Sequence, residues 1–222
     1  MNRFEATSVE GFVQQLAVGY VQHGHLFYVS GLIPVSKDER AVDAKFVERY
    51  GIGVSKWARA RGKTVGRASV RYIRHGRFFV LISTKGRHEF FERESQIMDV
   101  RRHPIRYAGY SISYRRGTDR RWHVAVRIAP DEYLRLKAYL VGLAAHRSIE
   151  TLAHEFERIR FERYAAVRRQ LFNILRAVNR ARKEAGFEPV PIGALRLRRR
   201  IVKPFAEDCG RKVDTLLVGI SV

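Results

Sequence analysis

Between residues 19 and 33 the chain reads Gly-Tyr-Val-Gln-His-Gly-His-Leu-Phe-Tyr-Val-Ser-Gly-Leu-Ile, an aromatic and β-branched run closed by Pro34 that predicts a strand. Residues 38–50 place Val42, Phe46, Val47 and Tyr50 at helical spacing and stop at Gly51, which predicts a helix. The wholly basic stretch 55–67 contains two glycines and reads as a loop, or as a short helix running into one. Strands are expected over 68–73 and 77–84 on either side of Arg74-His75-Gly76, a tight-hairpin signal, with a short helix after them around residues 90–99. Alternation of polar and apolar residues over 106–114 and 122–128, across Arg116-Gly117-Thr118-Asp119, predicts a second hairpin. Pro130-Asp131-Glu132 then opens a helix whose apolar stripe is Tyr133, Leu136, Tyr139, Leu140 and Leu143.

From Ser148 the rhythm is helical as far as Lys183 and Gly186, with a break expected near Phe161. Pro189, Pro191 and Gly193 mark a turn, and 195–204 alternates like a strand whose polar positions are nearly all basic. The order of elements predicts an α+β fold: a ferredoxin-like antiparallel sheet within a nucleic-acid-binding domain at 1–147, and a C-terminal Arg-rich helical segment. That segment belongs to a basic extension, 148–222, ending in a short strand-like tail. Residues 206–222 receive no element from the pattern.

Charge changes the picture more than composition does. With 222 residues and 45% hydrophobic content the chain can bury a core. It carries 43 Lys and Arg against 22 Asp and Glu, a formal net charge of +21, and only nine of the 43 are Lys. Arginine offers a planar donor fork that grips phosphate bidentately and stacks on bases, so the excess points to nucleic acid, DNA ahead of RNA. The single cysteine, Cys209, excludes an intramolecular disulfide framework and fits a reducing, cytoplasmic or nucleoid-associated setting. The sequence shows neither a signal peptide nor an apolar run of about 18 residues, so no membrane association is expected. The oligomeric state is open, with room for a protein partner or a homodimer.

On a helical projection of residues 164–183, Tyr164, Val167, Leu171, Ile174, Leu175 and Val178 share one arc, and Arg168, Arg169, Arg176, Arg180 and Lys183 lie opposite. Phe172, Asn173 and Asn179 fall within or beside the basic arc, where an aromatic and amides could stack on or read a base between phosphate contacts. Three further clusters extend the expected interface: Lys56, Trp57, Arg59, Arg61, Lys63 and Arg67; Arg115, Arg116, Arg120 and Arg121 around the second hairpin, next to Trp122; and Arg198, Arg199 and Arg200 near the C-terminus. No cofactor is expected for a binding module. The catalytic alternative is a metal-dependent single-strand DNA endonuclease using Mg or Mn, with His23 and His25 at i, i+2 on one strand face and Tyr164 as nucleophile. A second alternative is an RNA-binding subunit of a nucleoprotein complex.

The segment Val70-Arg-Tyr-Ile-Arg-His-Gly-Arg-Phe-Phe-Val-Leu-Ile-Ser-Thr-Lys-Gly resembles the strand-turn-strand core of single-tyrosine, HUH-type transposases of the insertion-sequence and REP-associated kind. The order of elements is similar too, with an early strand and helix before the segment and a late Arg-rich helix carrying Tyr164 after it. In that family a His-x-His pair in this core binds the metal; here Arg77, Phe78 and Phe79 stand in its place, with only His75 nearby. The resemblance therefore implies a nucleic-acid-binding fold of mobile-element or plasmid type that has lost its strand-cleaving chemistry.

Overall fold

Phe12, Val13, Leu16, Ala17, Tyr20 and Val21 recur at i, i+1, i+4, i+5, i+8 and i+9, the stripe of a helix buried on a broad face. In the computed structural model, which describes residues 4–199 and 201–205, they line one continuous helical run. Helix α1 (Val9–Gln14) is capped by Ser8, whose hydroxyl accepts from the Gly11 N–H at 3.1 Å. The run continues through a π-helical turn, Gln15–Tyr20, and a 3₁₀ turn, Val21–His23. Gly24 ends it at φ 86°, a left-handed conformation that costs glycine nothing. The strand expected over 19–33 is thus shortened to β1 (Phe27–Leu32). Local β propensity at Tyr20 and Val21 loses to burial of the whole helical stripe.

The first sheet adds β2 (Val70–His75), β3 (Phe78–Ser83) and the two-residue β4 (Met98–Asp99), in the order β2-β3-β1-β4 with every pairing antiparallel. Only Phe90–Arg93 of the helix expected near 90–99 is helical (α4) before the chain extends into β4. Between β1 and β2 lie α2 (Glu39–Arg49), capped by Asp38, and α3 (Lys56–Thr64), capped by Ser55. One sheet face packs Val70, Tyr72 and Leu81 against Tyr50, Ile52 and Phe90. The other packs Tyr28, Ile73, Val80 and Ile82 against the N-terminal helical run.

A buried ionic network ties α2 to β2. Arg74, 2% exposed, donates from Nε to both Asp43 carboxylate oxygens at 2.9 and 3.0 Å, from Nη2 to Glu5 at 2.9 Å and from Nη1 to the Gly76 carbonyl at 3.1 Å. Tyr72 donates to the same Asp43 carboxylate at 2.6 Å. Burial alone would lower the Arg74 pKa; the hydrogen bonds and charges of Asp43 and Glu5 more than reverse this, keeping the guanidinium charged. The backbone of residues 4–6 also runs along β2, where the Arg74 N–H donates to the Phe4 carbonyl and the Ala6 N–H to the Arg74 carbonyl.

The second sheet is a meander of β5 (Ile105–Tyr107), β6 (Tyr110–Arg116) and β7 (Trp122–Ile128). The single strand expected over 106–114 is itself split by a two-residue turn in which Ala108 and Gly109 both have positive φ, 45° and 77°. Alanine rarely takes that conformation, so the residue types do not advertise the turn. Tyr110, Ile112, Val126 and Ile128 face the N-terminal helical run from the side opposite the first sheet, and the 3₁₀ turn touches both β6 and β7. Phe78 of β3 stacks on Tyr107 of β5 at 4.5 Å, and the Tyr107 hydroxyl bonds His75 Nδ1 at 2.6 Å, joining the sheets at one end.

Helices α5 (Pro130–Ala144), α6 (Ile149–Glu157) and α7 (Ala165–Glu184) complete the core. The inner stripe of α7, Val167, Leu171, Ile174 and Val178, is fully buried. The α7 residue Gln170 sets the helix on β7, its amide accepting from the Ile128 N–H at 2.8 Å and donating to the Ile128 carbonyl at 3.0 Å. The expected C-terminal strand does not form among the described residues: Ile192–Leu195 is a 3₁₀ turn, Arg196 is left-handed, and 197–205 is irregular. Its backbone is used elsewhere, with Val202 exchanging two hydrogen bonds with the Gln14 amide and the Pro204 carbonyl accepting from the Thr7 N–H. No helix among the described residues is long and apolar enough to cross a membrane.

Removing the Asp43 carboxylate would leave the buried Arg74 Nε and the Tyr72 hydroxyl without their acceptor and the guanidinium with only the half-exposed Glu5 as counter-charge. Asp43→Ala is expected to cost about 3–5 kcal/mol in urea unfolding, and a loss below about 1 kcal/mol would show that the network does not hold α2 to the sheet.

Candidate nucleic-acid interface

The described residues divide arginine into two populations. Arg74, Arg77, Arg93, Arg101, Arg106, Arg135, Arg158 and Arg196 each pair with a carboxylate. Arg59, Arg61, Arg67, Arg115, Arg116, Arg120, Arg121, Arg168, Arg169, Arg176, Arg180, Arg198 and Arg199, all expected from the sequence to bind phosphate, form no ion pair among the described residues, and neither does Lys63. Most are exposed; Arg59 and Arg199 are half-buried, and Arg200 lies outside the described residues.

Two centres emerge where the fold forces these cations together. The first joins the second sheet to α7. Because Gln170 docks on Ile128, Arg169 is brought beside Arg127 of β7. Arg115 comes from β6, its Nε donating to the buried Ser113 hydroxyl at 3.1 Å. Partial desolvation, then the charges of Arg115 and Arg169, push the Arg127 pKa down. Arg127 was not expected from the sequence; its sign was a polar position on the outer face of an alternating strand. Beyond Arg115 lies the hairpin tip with Arg116, Arg120 and Arg121, where Trp122 stacks on Tyr114 at 5.5 Å.

Along α7 the same surface runs into a groove of about 550 Å³. Arg169, Phe172, Asn173 and Arg176 contribute its helical wall, with Leu175 and Asn179 behind. Val190 and Ile192 form the opposite wall. The far wall is clamped: the Asn179 amide exchanges hydrogen bonds of 3.0 and 2.8 Å with the Val190 carbonyl and N–H. Buried Arg182 holds the neighbouring loop through the Glu188 carbonyl and binds the Ala144 and Arg147 carbonyls at 2.9 and 2.8 Å. Asn179, expected as a reading amide, is thus a structural one, whereas Asn173 is exposed.

The second centre lies where the N-terminal helical run meets the first sheet. Arg59 of α3 and Arg71 of β2 approach His25, and burial followed by the Arg59 charge lowers the Arg71 pKa. Arg71, too, was absent from the sequence-based set. Trp57 of the same helix is 78% exposed, and Lys56 opens the helix.

The catalytic candidates do not form the expected constellation. His23 ends the 3₁₀ turn, exposed, and Gly24 reverses the chain before His25, so the two imidazoles do not share a strand face. His25 is 7% exposed, with Nδ1 3.2 Å from the Tyr20 carbonyl. A carbonyl only accepts, so the neutral ring carries its proton on Nδ1 and leaves the Nε2 lone pair without a protein partner. Tyr164 caps the start of α7, 8% exposed, with the Arg199 guanidinium 4.1 Å from its ring centre; burial raises its pKa. That environment suits packing rather than nucleophilic attack. Among the described residues no three His, Cys, Asp or Glu side chains are grouped to hold a metal. Of the residues standing where the resemblance would put a histidine pair, Arg77 binds the Ile33 carbonyl and Glu39, Phe78 stacks on Tyr107, and Phe79 packs on Phe46.

Comparison of the chain with protein-family models, curated proteins and solved structures finds no match.

Burial first, and then Arg71, depress the His25 pKa from 6.5 to about 4; the Tyr20 carbonyl opposes the shift, and His23 and Arg59 add to it. The unfolded chain takes up this proton near pH 6.5 and the folded one only near pH 4, so His25 costs stability as pH falls through that window, by up to about 3 kcal/mol. Urea unfolding of wild type and His25→Gln at pH 4 to 7.5 should show a steeper acid loss in wild type. Parallel curves would contradict a buried neutral imidazole.

Proposed function

We propose that the protein binds nucleic acid along a track of unpaired arginines running from the β6–β7 hairpin over Arg127 onto α7. The observation that carries this reading is Arg127, set against Arg115 and Arg169, with no carboxylate paired to any of the three among the described residues. Clustering like charges at a partly desolvated site opposes folding, while the same cluster supplies a phosphodiester with several charge-assisted donors at once. Asp119, at the tip of the same hairpin, is engaged with His123.

The scaffold we assign to this function is ferredoxin-like in its first half. The succession β1, helices, β2, β3, helix, β4 with spatial order β2-β3-β1-β4 is the split βαβ arrangement of that class. The basic β-meander and α7 are then an addition that carries the phosphate contacts. A non-catalytic role fits the separation of the two histidines and the packing of Tyr164 described above, and the HUH-type resemblance enters this reading only as a binding fold.

Binding to a labelled oligonucleotide should fall steeply with salt, each phosphate contact contributing about 0.7 to the log–log slope on a single strand and about 0.9 on duplex. The double substitution Arg127→Gln/Arg169→Gln should lower the slope by roughly 1.5 to 2, while leaving thermal stability unchanged or raised because repulsion is relieved. An unchanged slope, or no binding by wild type at low salt, would refute the arginine track.

A further inference from the structure

We infer that the groove between α7 and residues 190–192 holds an unpaired nucleobase, so that the protein takes single strands; this rests on the nucleic-acid reading above. Four α7 residues in the helical wall fall at i, i+3, i+4 and i+7, one face of a helix: Arg169, Phe172, Asn173 and Arg176. At 1.5 Å per residue the two arginines stand about 10 Å apart along the axis, with the aromatic ring and the amide between them. Phosphates on either side of one nucleotide can be gripped at the two ends while the base enters between.

Between those cations the groove carries an apolar patch of Phe172, Val190 and Ile192 beside the Asn173 amide. Phe172 is half-buried, Val190 is 2% exposed, and Ile192 projects 61% exposed on a 3₁₀ turn. An apolar slot with one exposed amide, rimmed by unpaired guanidiniums, matches a flat heteroaromatic ring carrying hydrogen-bonding edges and flanked by anions. Its volume of about 550 Å³ lies in the range of small-ligand sites. A paired base cannot enter, because its faces are stacked and its edge is engaged within the duplex. The slot is also preformed: Asn179 and Arg182 fix the wall opposite α7, so little ordering is required on binding.

The test compares a DNA single strand with an abasic strand of the same length, which keeps every phosphate and lacks the bases. Wild type should bind the normal strand about tenfold or more tightly, and Ile192→Ser and Phe172→Leu should fall towards the abasic affinity. Ile192 is exposed, so its substitution leaves the core intact; the leucine keeps the apolar packing of Phe172 on its inner side. An RNA strand of the same sequence, run in parallel, tells which sugar the source carries. Equal affinity for normal and abasic strands would overturn the groove and leave the arginine track standing. A base preference that survives in both variants would place the base elsewhere and also overturn it. No binding of any strand would remove the underlying reading as well.

Discussion

Everything in this structure depends on the burial of the N-terminal helical run between two antiparallel sheets. Phe12, Val13, Leu16, Ala17 and Val21 are fully excluded from water, contacted by Tyr28, Ile73, Val80 and Ile82 on one side and by Ile112, Val126 and Ile128 on the other. A helix apolar over so wide an arc is stable only inside a protein, since short isolated helices are marginal in water. The sheets also meet through Phe78–Tyr107–His75 and through the Tyr28 hydroxyl, which donates to the His103 and Pro104 carbonyls at the entry to β5. The first sheet then carries α2 and α3, and the second carries α7.

That geometry distributes the charge. Carboxylates are concentrated where the fold needs a guanidinium held in place, deepest at Asp43 against Arg74. Buried Arg163 and Arg182 are held by backbone carbonyls instead, and among the exposed arginines without a carboxylate the charges crowd most closely at Arg127. Because side chains from three elements meet there, the positive potential is set by tertiary packing.

Much of this was legible in the chain. The helical projection of 164–183 separates the buried face of α7 from its basic face, and the same projection isolates Phe172 and Asn173. Both hairpins follow alternation and turn residues. The failures have physical causes. The N-terminal helix is written in residues with strand propensity, and its stripe becomes decisive only once two sheets cover it. The 105–110 turn is hidden by an alanine at positive φ. His23 and His25 look like a chelating pair only while residues 19–24 are read as extended. The second wall of the groove is invisible because Val190 and Ile192 reach α7 through the side-chain amide of Asn179, a contact that no periodicity encodes.

That amide contact recurs. Gln14 on Val202, Gln170 on Ile128 and Asn179 on Val190 each present one acceptor and one donor to a backbone N–H and C=O of the same residue, as a neighbouring strand would. For Ile128 the consequence reaches beyond the single molecule. β7 is the last strand of its sheet, and an open edge is a template on which another copy can pair and aggregate. Gln170 occupies the inner end of that edge, while Arg121 stands at the outer end, where its guanidinium repels a second copy. At Ile128 the strand's free N–H and C=O are already taken by the Gln170 amide, so a second copy finds no partner groups there.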